Sequence, residues 1–144
     1  MFNNSVDERL SAWAELRRQI EVSEDPYTDV WNFWKFAPFV PYNPKIDPCY
    51  QRGWPRPWEI IVDNKYDDFT KALMIAWSFK LTDRFDNSHI QIKILVDNVN
   101  SRQSNVVCID DKWVINYNDN GPEPLEKLPE SFLVENLVVL NVPR

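Results

Sequence analysis

The chain holds only two cysteines and one histidine in 144 residues. Cys49 and Cys108 have no Cys-x-x-Cys spacing, and His89 is the only nitrogen ligand they could share, so the set is too small for a structural zinc site. Long apolar runs are also missing: stretches such as Leu137-Val138-Val139-Leu140 fall far short of the roughly 20 residues that a membrane-spanning helix needs. The opening Met1-Phe2-Asn3-Asn4-Ser5 has no basic flank and no apolar signal segment, so a soluble cytoplasmic protein with both thiols reduced is expected. Positive charge is in deficit. Sixteen Lys and Arg face 22 Asp and Glu, a net charge of −6, which opposes the counterion-releasing phosphate contacts that dominate nucleic-acid affinity. No catalytic or metal signature is intact, and no cofactor is expected.

Aromatic residues and proline are abundant, and they are concentrated. The segment from Trp31 to Trp58, WNFWKFAPFVPYNPKIDPCYQRGWPRPW, gathers nine of the twenty aromatic residues and six of the eleven prolines. Rings bring large apolar area, and proline removes backbone donors and freedom, so such a segment is either a rigid adhesive surface or an arm packed over its own core. Trp31, Trp34, Phe36 and Phe39, with Tyr42, Trp54, Arg56 and Trp58, are the candidate anchors for a partner, because Trp, Tyr and Arg dominate interface energetics. The alternative is intramolecular packing. Trp54-Pro55-Arg56-Pro57-Trp58 should form a fixed corner in which two prolines hold the backbone extended and Arg56 stacks between the flanking indoles. Lys35, Lys45, Arg52 and Arg56 make the segment locally basic, opposed only by Asp47. Single-stranded nucleic acid could stack there, but the charge of the whole chain favours protein subunits, of the same or another chain, as the partner.

The length suits one domain, large enough to bury roughly two-thirds of its unfolded surface. Ser5-Val6-Asp7-Glu8 is a capping-box pattern. After it, Val6, Trp13, Leu16 and Ile20 lie on one stripe, predicting a helix over about 6–22. Asp25-Pro26 opens a second helix with Tyr27, Val30, Trp31 and Trp34 on one face, running to about Phe36, where Pro38, Pro41, Pro44 and Pro48 force an extended connection. Trp58 to Val62 fits a helical turn or a buried strand, and the proline before it favours the helix. Tyr66 to about Lys80 is apolar round most of its circumference, as a buried central helix would be. The period then changes to two at Ile90, Ile92, Ile94 and Val96. Asn105–Ile109 and Lys112–Tyr117 form a hairpin around Asp110-Asp111, and Leu133–Val142 offers a fourth strand. The expected fold is α+β: N-terminal helices (1–36), an aromatic and proline-rich arm (37–58), and a buried helix packed on an antiparallel sheet of three to five strands (59–144).

Two kinds of catalytic group are worth weighing. His89 with Cys49 or Cys108 could form a cysteine–histidine dyad, oriented by Asp86 or Asp110, if the fold brought them within about 3 Å. Cys108 lies in an apolar run where a thiol is usually an inert small hydrophobe, whereas Cys49 sits in a loop-like Asp47-Pro48-Cys49-Tyr50. The acidic pairs Asp67-Asp68 and Asp110-Asp111 suit a helix first turn and a hairpin turn better than acid–base work.

The order of a buried helix, a polar turn and a hairpin whose second strand opens Asp-Lys-Trp resembles the core of the transglutaminase-like branch of the papain-like superfamily. The resembling segments are Tyr66-Asp67-Asp68-Phe69, Asn105-Val106-Val107-Cys108-Ile109 and Asp111-Lys112-Trp113-Val114-Ile115-Asn116-Tyr117, about residues 65–119. In that family these places hold a nucleophilic cysteine, a histidine and an aspartate. Tyr66, Asn105 and Tyr117 stand at the matched positions, and a phenol beside an amide supplies neither nucleophile nor base. The resemblance therefore implies a non-catalytic member. The compact, acidic, aromatic-rich texture is also similar to that of small accessory proteins of tailed bacteriophages. A non-enzymatic structural or interaction protein, cytoplasmic or in the virion, is expected; the alternative is a cysteine-dependent hydrolase or acyl transferase of transglutaminase-like fold.

Overall fold

The computed structural model describes residues 1–97, 99, 101–128 and 133–140. Helix α1 spans Val6–Val22 and is opened by Ser5, whose hydroxyl accepts the Glu8 N–H at 3.3 Å. Its inward stripe is Arg9, Trp13, Leu16 and Ile20. Arg9 takes the place expected for Val6, which is exposed. The reason is at the end of another helix. Arg9 donates to the carbonyls of Ile61 (3.3 Å) and Val62 (3.1 Å), satisfying acceptors that the last turn of α3 (Pro57–Asp63) leaves open, and to Asn4 O at 2.7 Å.

Helix α2, Pro26–Trp34, begins with Asp25 accepting the Thr28 N–H at 3.2 Å and ends two residues earlier than the spacing predicted. The segment opening at Trp58 is helical, within α3, and ends at Asn64 in the left-handed conformation (φ 56°). Helix α4, Asp68–Lys80, starts two residues later than expected because Asp67 is its cap, accepting the Thr70 N–H at 2.8 Å. Every residue of α4 but Asp68 and Lys71 is buried.

The sheet has five antiparallel strands, β1 (Ile90–Asp97), β2 (Arg102–Ile109), β3 (Trp113–Ile115), β4 (Glu123–Pro124) and β5 (Leu133–Val139), in the order β4-β3-β2-β1-β5. The fold is α+β, as expected. Asp110 and Asp111 are the central residues of the turn between β2 and β3, both left-handed at φ 53° and 54°, closed by Lys112 N–H to Ile109 O at 3.0 Å; Ile109 pairs with Trp113, so Lys112 is a third connecting residue. Two consecutive positive φ values match the strand twist of a tight hairpin, and aspartate tolerates them. The short strand β4 had no legible pattern. Strand β5 covers the expected fourth strand to Val139, and positions 141 and 142 lie outside the described residues.

One sheet face, with Ile90, Ile92, Val107, Ile109 and Ile115, joins the main core with α4. The other face holds Leu95, Val106, Cys108 and Val114 under Tyr117, Leu125 and Leu128. Within the main core, Ser78 Oγ accepts the indole N–H of Trp13 (2.9 Å) and of Trp34 (3.0 Å), and donates to Met74 O at 2.7 Å. Helices α1, α2 and α4 thus meet at one hydroxyl. Helices α2 and α4 run oppositely: Tyr27, at the start of α2, packs on Phe79 near the end of α4, while Trp34 packs on Tyr66 just before α4 begins.

Candidate functional site

The aromatic arm leaves α2 after Lys35 and is tied to the body at both feet. Val40 N–H donates to Tyr66 O at 3.0 Å and Tyr66 N–H donates to Pro38 O at 3.2 Å. Asn43 is buried, donating its backbone N–H to Asp67 Oδ2 (3.0 Å) and its side-chain amide to Lys65 O (3.2 Å). Beyond it Ile46 is buried as well, and Trp54 donates its indole N–H to Asp47 O at 2.6 Å while its ring packs on Phe69. The arm is a fixed element, held by these bonds and by its prolines.

The candidate anchors divide. Trp34 is fully buried and Trp31 nearly so, and neither can meet a partner from outside: the helical period of α2 turns both onto the core. Past Lys35 that period ends, and the prolines keep the following rings from folding back as a helix face. Phe36, Phe39 and Tyr42 are 76%, 72% and 71% exposed, and Trp58 is 45% exposed. Trp54 is half-buried. Arg56 lies over Trp58 (5.7 Å to the ring centre) and is not sandwiched between two indoles, because the Trp54 ring is engaged on Phe69. Lys35 lies 5.1 Å from the centre of the Phe36 ring. Of the arm's four cations, Lys45 pairs with Asp63 at 3.1 Å, and Lys35, Arg52 and Arg56 make no ion pair among the described residues. A groove of about 620 Å³ runs between the arm and α3, lined in part by Ile46, Pro55, Trp58 and Val62.

A second constellation sits where α4 begins. Asp68 turns its carboxylate to the sheet, accepting from Asn105 N–H (3.2 Å), Asn105 Nδ2 (2.8 Å) and Asn116 Nδ2 (3.2 Å). Asn116 Nδ2 also donates to Asn105 O at 2.8 Å. Asn116 is held in the left-handed region, φ 73°, which takes its side chain out of strand alternation and into this junction. Of the three positions matched to catalytic residues, only Asn105 is in the junction. Tyr66 is a core residue whose hydroxyl has no partner among the described residues and whose pKa burial drives up; Tyr117 lies beneath the Arg102 guanidinium. Asp67 caps α4 and Asp68 lies in its first turn, as expected, and the Asp68 carboxylate is in addition bonded to the two amides. A cleft of about 280 Å³ adjoins them, with Lys71 and Arg102 in its lining.

The candidate thiol–imidazole pair is not assembled. Cys49 is exposed in the arm, near the start of α4, while His89 is exposed beyond its end, with its backbone N–H on Asp110 Oδ1 at 2.8 Å. Cys108 is buried among Leu95, Val106 and Val114 on the sheet face away from α4, and burial pushes its thiol up to about 11, away from the thiolate that a nucleophile requires. Among the described residues no group of three or more His, Cys, Asp or Glu is placed to hold a metal, and no helix is long and apolar enough to cross a membrane.

The meeting of Asp68 with Asn116 and the role of Ser78 escaped the sequence patterns. A carboxylate in a helix first turn and an Asn after a strand are both common on structural grounds, and only the tertiary fold brings them together. Comparison of the chain with protein-family models, curated proteins and solved structures gave no match.

Proposed function

We propose that this chain is a non-catalytic structural or interaction protein that binds protein subunits through the outer face of its aromatic arm. The observation that carries this is the set of exposed rings, Phe36, Phe39, Tyr42 and Trp58, on a backbone that is already ordered. Rings presented on a rigid backbone lose little conformational entropy on docking, which is what an anchor requires. Charge narrows the partner. The segment 31–58 carries four positive charges and one negative, net +3 in a chain of net −6, so the remaining residues carry −9. The surface being bound is therefore apolar with carboxylates around it, and nucleic acid is disfavoured by the acidic body.

The polar junction supports the non-catalytic part of the proposal. The helix start and two strands meet there with a carboxylate and two amides bonded to one another, an arrangement without the thiol and imidazole that cysteine-dependent acyl transfer requires. On this proposal the chain is a transglutaminase-like core with its catalytic positions replaced. Its setting is the particle of a tailed bacteriophage, or the assembly of that particle in the host cytoplasm.

The test is a variant carrying Phe36→Ser, Phe39→Ser and Trp58→Ser. It should keep the thermal midpoint of the parent and lose the stoichiometric protein partner that the parent retains through purification at low salt. A variant that keeps its partners, or that loses binding only in step with stability, overturns the proposal.

A further inference from the structure

The arm and an acidic surface lie at opposite ends of one helix. At the start of α4 are the arm's attachments, Phe39 to Tyr66, Asn43 to Asp67 and Trp54 to Phe69. At its far end the α1–α2 junction, the 82–88 loop and the β2–β3 turn come together: Glu21 accepts from Asp83 and Arg84 N–H (3.0 and 2.9 Å), and the Tyr27 ring contacts both Phe85 and Trp113. Thirteen residues at about 1.5 Å each put roughly 20 Å between the two ends.

The far end is acidic. Glu24, Asp25, Asp83, Asp86, Asp110 and Asp111 are all exposed there. Lys80, Arg84 and Lys112 oppose them, but the buried Lys80 is committed to the carbonyls of Asp86 and Ser88 at 2.8 and 3.1 Å and Arg84 to those of Ile20 and Ser23 at 2.9 and 2.7 Å. This end also offers an apolar seat. An open groove of about 500 Å³ is lined by Trp113, Pro124 and Leu125, with Asp111 and Glu126 as carboxylates and, among the described residues, Lys112 as its one cation. The arm has the complementary form twice over: an exposed ring with a cation against it that makes no ion pair among the described residues, Phe36 with Lys35 and Trp58 with Arg56.

We infer that the occupant of the arm's outer face is a second copy of this chain, which seats an arm ring in the Trp113–Leu125 groove with the neighbouring cation on Asp111 and Glu126. This rests on the arm being a protein-binding surface, as proposed above, and names the partner. The contact joins unlike surfaces, so each copy that uses its arm still offers a groove, and association continues into a ring or a filament.

Solution mass by sedimentation velocity tests this. The parent chain should exceed monomer mass at low salt, and its association should weaken about tenfold or more as salt rises from about 50 to about 500 mM. An arm variant (Phe36→Ser, Arg56→Ser, Trp58→Ser) and a groove variant (Asp111→Asn, Glu126→Lys) should each be monomeric alone with unchanged circular dichroism. Asn is chosen at 111 because it accepts the left-handed backbone there. Mixed, they should form a dimer of one copy each and nothing larger, since only one good arm and one good groove remain. A parent that stays monomeric at low salt overturns the inference, as does a mixture that fails to dimerise. A monomeric parent whose arm rings bind a different purified protein overturns this inference alone and leaves the arm's role standing. A monomeric parent whose arm binds only oligo(dT) overturns both.

Discussion

Trp34 and Phe36 are two residues apart and live in opposite environments. Trp34 is 0% exposed, its indole N–H on Ser78 and its ring against Phe2 and Tyr66, whereas Phe36 is 76% exposed with the Lys35 ammonium over its ring. Hydrophobicity does not separate them. What does is the end of α2 at Lys35: up to that residue the helical period assigns each ring a direction, and beyond it the prolines assign the backbone a path that leaves the rings outside. A dense aromatic segment can thus be core in its first part and surface in its second, with the boundary at a helix cap.

The sharpest way to break that contrast is to truncate one ring from each side. Trp34→Ala should cost about 3–5 kcal/mol in urea unfolding, as for large aromatic side chains removed from cores, whereas Trp58→Ala should stay within about 0.5 kcal/mol. Equal losses would mean that the arm is core throughout. Next in size is Ser78→Ala, which leaves the buried indole N–H groups of Trp13 and Trp34 without their acceptor and should cost about 2–3 kcal/mol. Adding Trp13→Phe to that variant should cost less than it does in the parent; additivity would mean that the shared hydroxyl does not couple the helices.

A smaller effect probes how the inner rings are covered. Gly121 has φ +99°, and a Cβ there would lie 3.2 Å from Trp31 Cδ1, so Gly121→Ala should destabilise by about 1 kcal/mol or more. An unchanged midpoint would show that Trp31 is not held from that side. The smallest effect at neutral pH is that of Cys108. Its thiol titrates near 9 when unfolded and near 11 when folded, so the folded state keeps the proton longer and stability falls as pH rises through 9 to 11. Below 9 the contribution is constant. The difference in stability between the parent and Cys108→Ala should therefore be flat to pH 8 and slope only above it, and a flat difference to pH 11 would place the thiol in water.

Much of the fold was legible because it is local. The capping Ser5, the Asp25-Pro26 start and the Asp110-Asp111 turn are each decided by a few neighbouring residues, and each element begins or turns where those residues require. The inward turn of Arg9 was not legible because its partners, the carbonyls that end α3, lie more than fifty residues away. The polar junction was hidden for a similar reason. Asn116 reaches Asp68 only because its left-handed backbone breaks the alternation that strand patterning assumes, which moved the meeting point from Tyr117 to its neighbour. Which rings face outward could not be read at all without knowing where α2 stops and which bonds hold the arm.

The bridge between Phe39 and Tyr66 brings the two feet of a long excursion side by side. Lengthening a loop whose ends are already clamped adds closure entropy only as the logarithm of its length, about 0.6 kcal/mol per doubling. The tip from Pro48 to Gly53 is exposed but for the half-buried Pro48 and ends in a single helical turn, so insertions there would leave Tyr66, α4 and the sheet where they are. The chain is in this sense a platform with an exchangeable loop, and what it holds on to can change through insertion and deletion while the rest of its sequence stays constrained by the core.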